Sequence, residues 1–140
     1  MKNLITYFSI VLFLILIACN SDKEEAKIYD VTWELEYLSG PRIAFEGLFP
    51  EKKPQLTFVK ETMRVQGNNG CNGYSSDFTI TNKDISFGEP GPTTMMFCGP
   101  GEKFFLNTIK KVNKFSFDSI GNLNLMIDDV PMMRFKKIIE

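Results

Sequence analysis

The chain has 140 residues, of which 44% are hydrophobic, and its formal net charge at pH 7 is −1. This near-neutral charge argues against nucleic acid as a partner, because a nucleic-acid-binding domain normally needs a basic face. The sequence contains no His, which is the commonest general base and the commonest transition-metal ligand. We therefore expect neither an enzyme nor a metal site nor a cofactor.

The chain begins with a hydrophobic leader that ends at a cysteine. Lys2 precedes an apolar run from Leu4 to Ala18, which is shorter than the roughly 20 residues that a membrane-spanning helix needs. A basic start, a short apolar stretch and a small residue before the cut are typical of a secretory signal peptide. The ending Leu16-Ile17-Ala18-Cys19 resembles a lipobox, which implies that residues 1–18 are removed and that the Cys19 thiol carries a diacylglyceryl group. An uncleaved anchor or a nearby cut would not explain this cysteine.

The residues after the cysteine predict an acylated tether followed by one domain. Residues 21–27 contain no apolar residue except Ala26, so we assign residues 19–27 to the tether and residues 28–140 to the domain. The membrane is thus an expected partner through the N-terminal lipid. The expected location is the bacterial cell envelope, in the outer membrane and facing either the periplasm or the surface. The domain is expected to be a monomer.

The cysteines predict one disulfide bond. Acylation of Cys19 leaves Cys71 and Cys98 in an exported chain. An even pair of cysteines outside the cytosol most simply forms a disulfide.

Apolar and polar residues alternate along most of the domain, which predicts short strands with one buried face. In the first strand the inward positions are Val31, Trp33, Leu35 and Tyr37. The same alternation recurs near residues 56–58, 63–65, 78–80, 85–87, 115–117, 123–127 and 133–135.

One segment has helical spacing instead. Phe105, Ile109 and Val112 recur at helical intervals, after Pro100 and an acidic residue that suit a helix start. The patterns together predict a mainly β (α+β) fold, with about seven or eight antiparallel strands and one α-helix at about residues 101–113. Residues 40–54 give only weak signals.

Several motifs in this order carry a family resemblance. The centre is Gly70-Cys71-Asn72-Gly73-Tyr74, which follows Trp33-Glu34-Leu35 and precedes the segment 93–98 and Glu102. The order resembles the META domain of the HslJ-like heat-shock lipoproteins. The resemblance implies a small, partly open β-barrel without known catalytic residues, in a protein associated with envelope stress or resistance.

Two functions are compatible with this resemblance. The first is a binding or protective module at a membrane surface. The alternative is a carrier or pilot-like lipoprotein that holds an acyl chain or an apolar protein segment in the mouth of the barrel. The expected partners are therefore an apolar ligand or an envelope protein.

The candidate ligand-binding residues are Trp33, Asn69, Asn72 and Thr94. For the two Asn residues, capping of backbone groups is the stronger interpretation. The pairs Met95-Met96 and Met132-Met133 could suit a soft metal, but too few other ligands remain, so we expect them to fill gaps in the core.

The lipobox assignment predicts that Cys19→Ser abolishes membrane attachment while residues 28–140 stay folded. The lipid is attached through the thiol, whereas the domain does not use this residue, and two acyl chains suffice for stable anchoring. Flotation with vesicles and incorporation of labelled palmitate measure the effect. Labelled palmitate on the Cys19→Ser protein would contradict the assignment.

Overall fold

The computed structural model describes residues 23–138, in which eight β-strands form a closed ring. Each strand pairs antiparallel with the next one along the chain, and the first pairs with the last. The predicted signal peptide, Cys19 and the first residues of the tether lie outside the described residues. The strands are β1 (Thr32–Leu38), β2 (Gln55–Val59), β3 (Arg64–Asn68), β4 (Gly73–Thr81), β5 (Asp84–Phe87), β6 (Lys114–Phe117), β7 (Leu123–Ile127) and β8 (Val130–Lys137).

This architecture confirms the predicted mainly β fold of seven or eight antiparallel strands. The ring is weakest between β5 and β6, where Asp84 and Lys114 form the single register pair. All other neighbouring strands share at least three register pairs. The description as a partly open barrel fits this short seam.

The inward face of β1 departs from the predicted alternation at its end. Trp33 and Leu35 are buried as expected, but Tyr37 is 44% exposed, so its predicted inward position is wrong. The register between β1 and β8 shifts between Leu35 and Tyr37. A bulge of this kind moves the following side chains to the opposite face, so Leu38 is buried instead.

Aromatic and aliphatic side chains fill the interior of the ring. Phe58 and Phe78 meet edge to face at 5.2 Å between ring centroids, and both are almost fully buried. The Trp33 indole is also buried, and its Nε1 donates a hydrogen bond of 3.0 Å to the carbonyl of Ile28. In the described part of the chain, no buried side-chain nitrogen or oxygen lacks a hydrogen-bond partner. Packed side chains therefore occupy the interior of the ring.

Two helices lie in the connections. The predicted helix begins at the expected residue but is shorter than predicted, since α2 spans Gly101–Ile109 and buries Phe105 and Ile109. A short helix that was not predicted, α1 (Phe45–Leu48), lies between β1 and β2. Neither of these described helices has the length and apolar character that crossing a membrane requires.

The connections alternate between the two ends of the barrel, because neighbouring strands run in opposite directions. The end that we call the entry end carries the segment 23–31 and the turns 60–63, 82–83 and 118–122. The opposite end, which we call the loop end, carries the connections 39–54, 69–72, 88–113 and 128–129.

The last residues assigned to the tether contact the barrel at the entry end. Glu24 forms an ion pair with Lys83 at 3.0 Å, and Glu25 accepts a hydrogen bond of 2.8 Å from the Tyr29 hydroxyl. The described part of the tether is therefore packed against the domain, and the chain reaches the barrel at this end.

The packed core predicts that Trp33→Ala lowers the free energy of unfolding by about 3 to 5 kcal/mol, because the deletion leaves a cavity and breaks the bond to Ile28. Tyr37→Ala on the same strand is the control, and its outward side chain should cost less than about 1 kcal/mol. Urea unfolding followed by circular dichroism measures both. Equal costs would contradict the inward packing of Trp33.

Candidate functional site

The turn between β3 and β4 is shaped by asparagine side chains at the loop end. Asn68 Oδ1 accepts a hydrogen bond of 2.9 Å from the Gly70 amide. Asn69 Oδ1 accepts bonds from the amides of Cys71 at 3.1 Å and Asn72 at 2.8 Å. These contacts confirm that Asn69 caps backbone groups, which is how short polar side chains stabilise an irregular turn.

Glu102 connects this turn to the first turn of α2. Its Oε1 accepts hydrogen bonds from Nδ2 of Asn69 at 2.6 Å and from Nδ2 of Asn72 at 2.9 Å. The two Asn side chains are almost fully buried. Because buried amides need partners, one carboxylate fixes the position of the turn relative to the helix.

The Asn72 amide also holds the segment before the second cysteine. Its Oδ1 accepts bonds from the Thr94 hydroxyl at 2.7 Å and from the Met96 amide at 3.0 Å. Its Nδ2 donates to the Met96 carbonyl at 2.9 Å. Both polar atoms of the side chain are thus in use, and residues 94–96 are bound through their inward-facing polar groups.

A covalent bond lies next to this network. Cys71 and Cys98 form a disulfide with 5.6 Å between their Cα atoms, so the predicted pairing is confirmed. The cysteines are 27 residues apart. A closed loop of that length contributes about 3 to 4 kcal/mol of stability in the chain-entropy model.

The segment that Asn72 binds continues to Phe97 and presents three large apolar side chains to solvent. Met95 is 97% exposed, Phe97 is 90% exposed and Met96 is 58% exposed. We call residues 95–97 the apolar loop. The expectation that paired methionines fill the core is wrong for Met95 and Met96, since the inward side of this segment is occupied by bonds to Asn72. The same expectation is correct for Met133, which is fully buried.

Two glycines let the connection between β1 and β2 pack against the site. A Cβ atom at Gly70, whose φ is +93°, would lie 2.5 Å from the Phe49 ring. A Cβ atom at Gly101 would lie 2.3 Å from the carbonyl oxygen of Leu48. The ring of Phe49 therefore lies against two positions that only glycine can occupy, and it supports the turn and the start of α2 together.

Tyr74 follows the turn, near the start of β4, and is buried. Its ring contacts Phe105 edge to face at 5.5 Å. Burial raises the pKa of the Tyr74 hydroxyl to about 12, and a hydrogen bond with Ser76 only partly opposes this rise. The hydroxyl therefore remains protonated at neutral pH.

The structure brings together three of the four predicted ligand-binding residues. Asn69, Asn72 and Thr94 belong to the network described above, whereas Trp33 lines a surface groove at the entry end. The roles of Glu102 and Phe49 were not predicted. Glu102 and Phe49 are far in sequence from the asparagines, and no local sequence pattern predicts that they contact the same turn. Among residues 23–138, no group of three or more Cys, Asp or Glu side chains is placed to hold a metal ion.

A family model for the META domain matches residues 26–138, which include the whole ring and the loop-end network. The chain belongs to the META domain family. This confirms the predicted family. The META domain is also similar in fold to a protein from Burkholderia xenovorans whose structure was determined by NMR, with a TM-score of 0.62 and 20% sequence identity. The match covers 81% of this chain and 85% of that one. A search of curated proteins found no match.

The network predicts that Asn72→Ala destabilises the META domain by at least about 2 kcal/mol, because the buried partners of the amide lose their bonds. Residues 93–98 should also become more sensitive to limited proteolysis. Asn107→Ala on the exposed face of α2 is the matched control and should change stability by less than about 0.5 kcal/mol. Chemical denaturation and protease digestion of both variants measure this. An Asn72→Ala protein as stable as the control would contradict the role of the amide.

Proposed function

We propose that this META-domain protein is a non-enzymatic bacterial envelope lipoprotein whose domain acts as a binding or protective module. In this proposal the binding surface is the apolar loop, and the partner is an envelope protein with an apolar pocket or groove. The HslJ-like character and the association with envelope stress or resistance are part of the same proposal. The observation that carries it is the exposure of the apolar loop on a backbone fixed by Asn72 and the disulfide.

Exposing the apolar side chains of this loop to water is unfavourable in free energy unless a partner covers them. Contiguous exposed apolar side chains mark interaction sites more often than ordinary surface. Aromatic residues and methionine are enriched in interfaces between proteins. A loop that is already ordered loses little conformational freedom on binding, so more of the contact energy appears as affinity. Phe97 and Met95 have the chemistry and the fixed geometry of such a contact.

The chemistry of the network supports a non-enzymatic role. The Thr94 hydroxyl donates to an amide oxygen of Asn72, which cannot take up a proton at neutral pH. The Glu102 oxygen nearest the turn already accepts bonds from two buried amides. The hydroxyl thus has no general base beside it, and a nucleophile normally needs one.

The packing of the barrel supports the module over a carrier that holds its ligand inside the barrel. Phe58, Phe115 and Phe135 are among the fully or almost fully buried side chains that fill the interior. An acyl chain or apolar protein segment would have to displace such residues in order to enter the barrel. The proposed location in the envelope rests on the resemblance of residues 16–19 to a lipobox.

The test is site-specific photocrosslinking in the native host, with a benzophenone side chain at position 97 or at position 120. Ile120 is the matched control, because it is 82% exposed but lies in a turn at the entry end. We expect a discrete protein adduct from position 97, in the envelope fraction, and none from position 120. Excess Phe97→Ser protein should fail to compete for the adduct, whereas excess wild-type protein should compete.

Two results would overturn the proposal. One is the same set of adducts from both positions, which would show that the crosslinker reports exposure alone. The other is recovery of the protein outside the envelope fraction. The unfolding midpoint of the Phe97→Ser variant should match that of the wild type, because the Phe97 side chain is 90% exposed.

A further inference from the structure

A groove of about 360 Å³ opens at the entry end, on the opposite side of the barrel from the apolar loop. It combines aromatic walls with two lysines at its edge. The residues that matter for its chemistry are Lys27, Tyr29, Trp33, Phe117 and Lys137. The network at the loop end does not include any of them.

The strand register places one of these lysines over the mouth of the barrel. Lys137 is the register partner of Trp33, and residues paired across antiparallel strands point to the same face. Its neighbour Lys136 is the partner of Glu34, points outward and forms an ion pair with it at 3.2 Å. Lys137 is therefore on the inward-facing side of β8, at its last residue. Its ammonium group lies where the buried aromatic core meets solvent.

The second lysine reaches the same space from the N-terminal segment. The Lys27 ammonium lies 5.7 Å from the centroid of the Phe117 ring. Within residues 23–138, no carboxylate lies within 4.0 Å of either Lys27 or Lys137, whereas Lys83 and Lys136 each have such a partner. The groove therefore presents two cations that no described carboxylate neutralises.

Two described acidic groups that lie near the groove in sequence are directed elsewhere. Glu25 accepts the hydrogen bond from the Tyr29 hydroxyl. Asp118 accepts bonds from the backbone amides of Ile120 and Asn122 and from the Asn122 side chain. Both carboxylates thus stabilise their own segments, and among residues 23–138 no carboxylate competes with an anion for the two lysines.

The position of the groove brings it close to a membrane. This inference rests on the proposed lipid anchor at Cys19, which precedes the first described residue by four positions. Four extended residues span at most about 14 Å. Electrostatic attraction acts over about 8 Å at physiological ionic strength. The end of the barrel that carries the groove therefore faces the bilayer in which the anchor lies.

We propose that this groove binds the headgroup region of an anionic phospholipid of that bilayer. The phosphate lies between the ammonium groups of Lys27 and Lys137. The glycerol and the upper part of an acyl chain contact Phe117 and the edge of the buried Trp33 indole that lines the groove. Aromatic side chains favour this depth of the membrane interface, and basic residues select anionic lipids. The lipid holds the domain upright on the membrane, with the apolar loop pointing away from it.

The test uses the full acylated protein in nanodiscs and the fluorescence of Trp33, which is the one tryptophan of the chain. Nanodiscs of phosphatidylcholine receive equal mole fractions of brominated phosphatidylglycerol or brominated phosphatidylcholine. We expect the brominated anionic lipid to quench Trp33 at least twofold more strongly. The double variant Lys27→Gln with Lys137→Gln should remove this difference. Lys136→Gln is the matched control and should keep it.

Three results would overturn the inference. Equal quenching by the two lipids would mean that the groove does not select an anion, as when the protein's own thioether-linked acyl chain occupies it. Loss of the preference in Lys136→Gln to the same degree would show that only the overall charge matters. Failure of the wild-type protein to associate with any nanodisc would overturn the anchor and this inference together, whereas association without lipid preference overturns this inference alone.

Discussion

The side-chain amide of Asn72 is the interaction on which the loop end of this META domain depends. A buried amide must satisfy both its donor and its acceptor, because an unpaired polar group in the core costs more than a hydrogen bond contributes. Asn72 meets this requirement with Glu102 in α2 and with Thr94 and Met96 in the long connection. One side chain thereby ties the turn between β3 and β4 to two parts of the connection between β5 and β6, which lie 22 to 30 positions further along the chain.

The exposed surface follows from that constraint. Since the polar groups of residues 94–96 face Asn72, the side chains of Met95 and Phe97 are left on the outer side. The disulfide alone would close the loop but would leave its middle free to turn its apolar side chains toward the protein. Hydrogen bonds and disulfide together give an apolar surface of defined shape, which is the property that a binding module needs.

The barrel separates two different surfaces. Its interior is filled by aromatic and aliphatic side chains, which lie between the two ends. The loop end is apolar and held by hydrogen bonds and a disulfide, whereas the entry end carries a groove with two lysines. In our proposals the entry end contacts a membrane and the loop end contacts a partner protein, with the packed core between them.

The sequence by itself determined the features that depend on local pattern or on counting. Alternation predicted the strands, helical spacing predicted the start of α2, and the cysteine count predicted the bond between Cys71 and Cys98. Only the tertiary structure decided the rest. The bulge that exposes Tyr37 arises from pairing with β8, and the exposure of Met95 arises from hydrogen bonds across 22 to 24 positions of the chain. Such contacts join segments whose separation in sequence carries no periodic signal, so no local pattern can predict them.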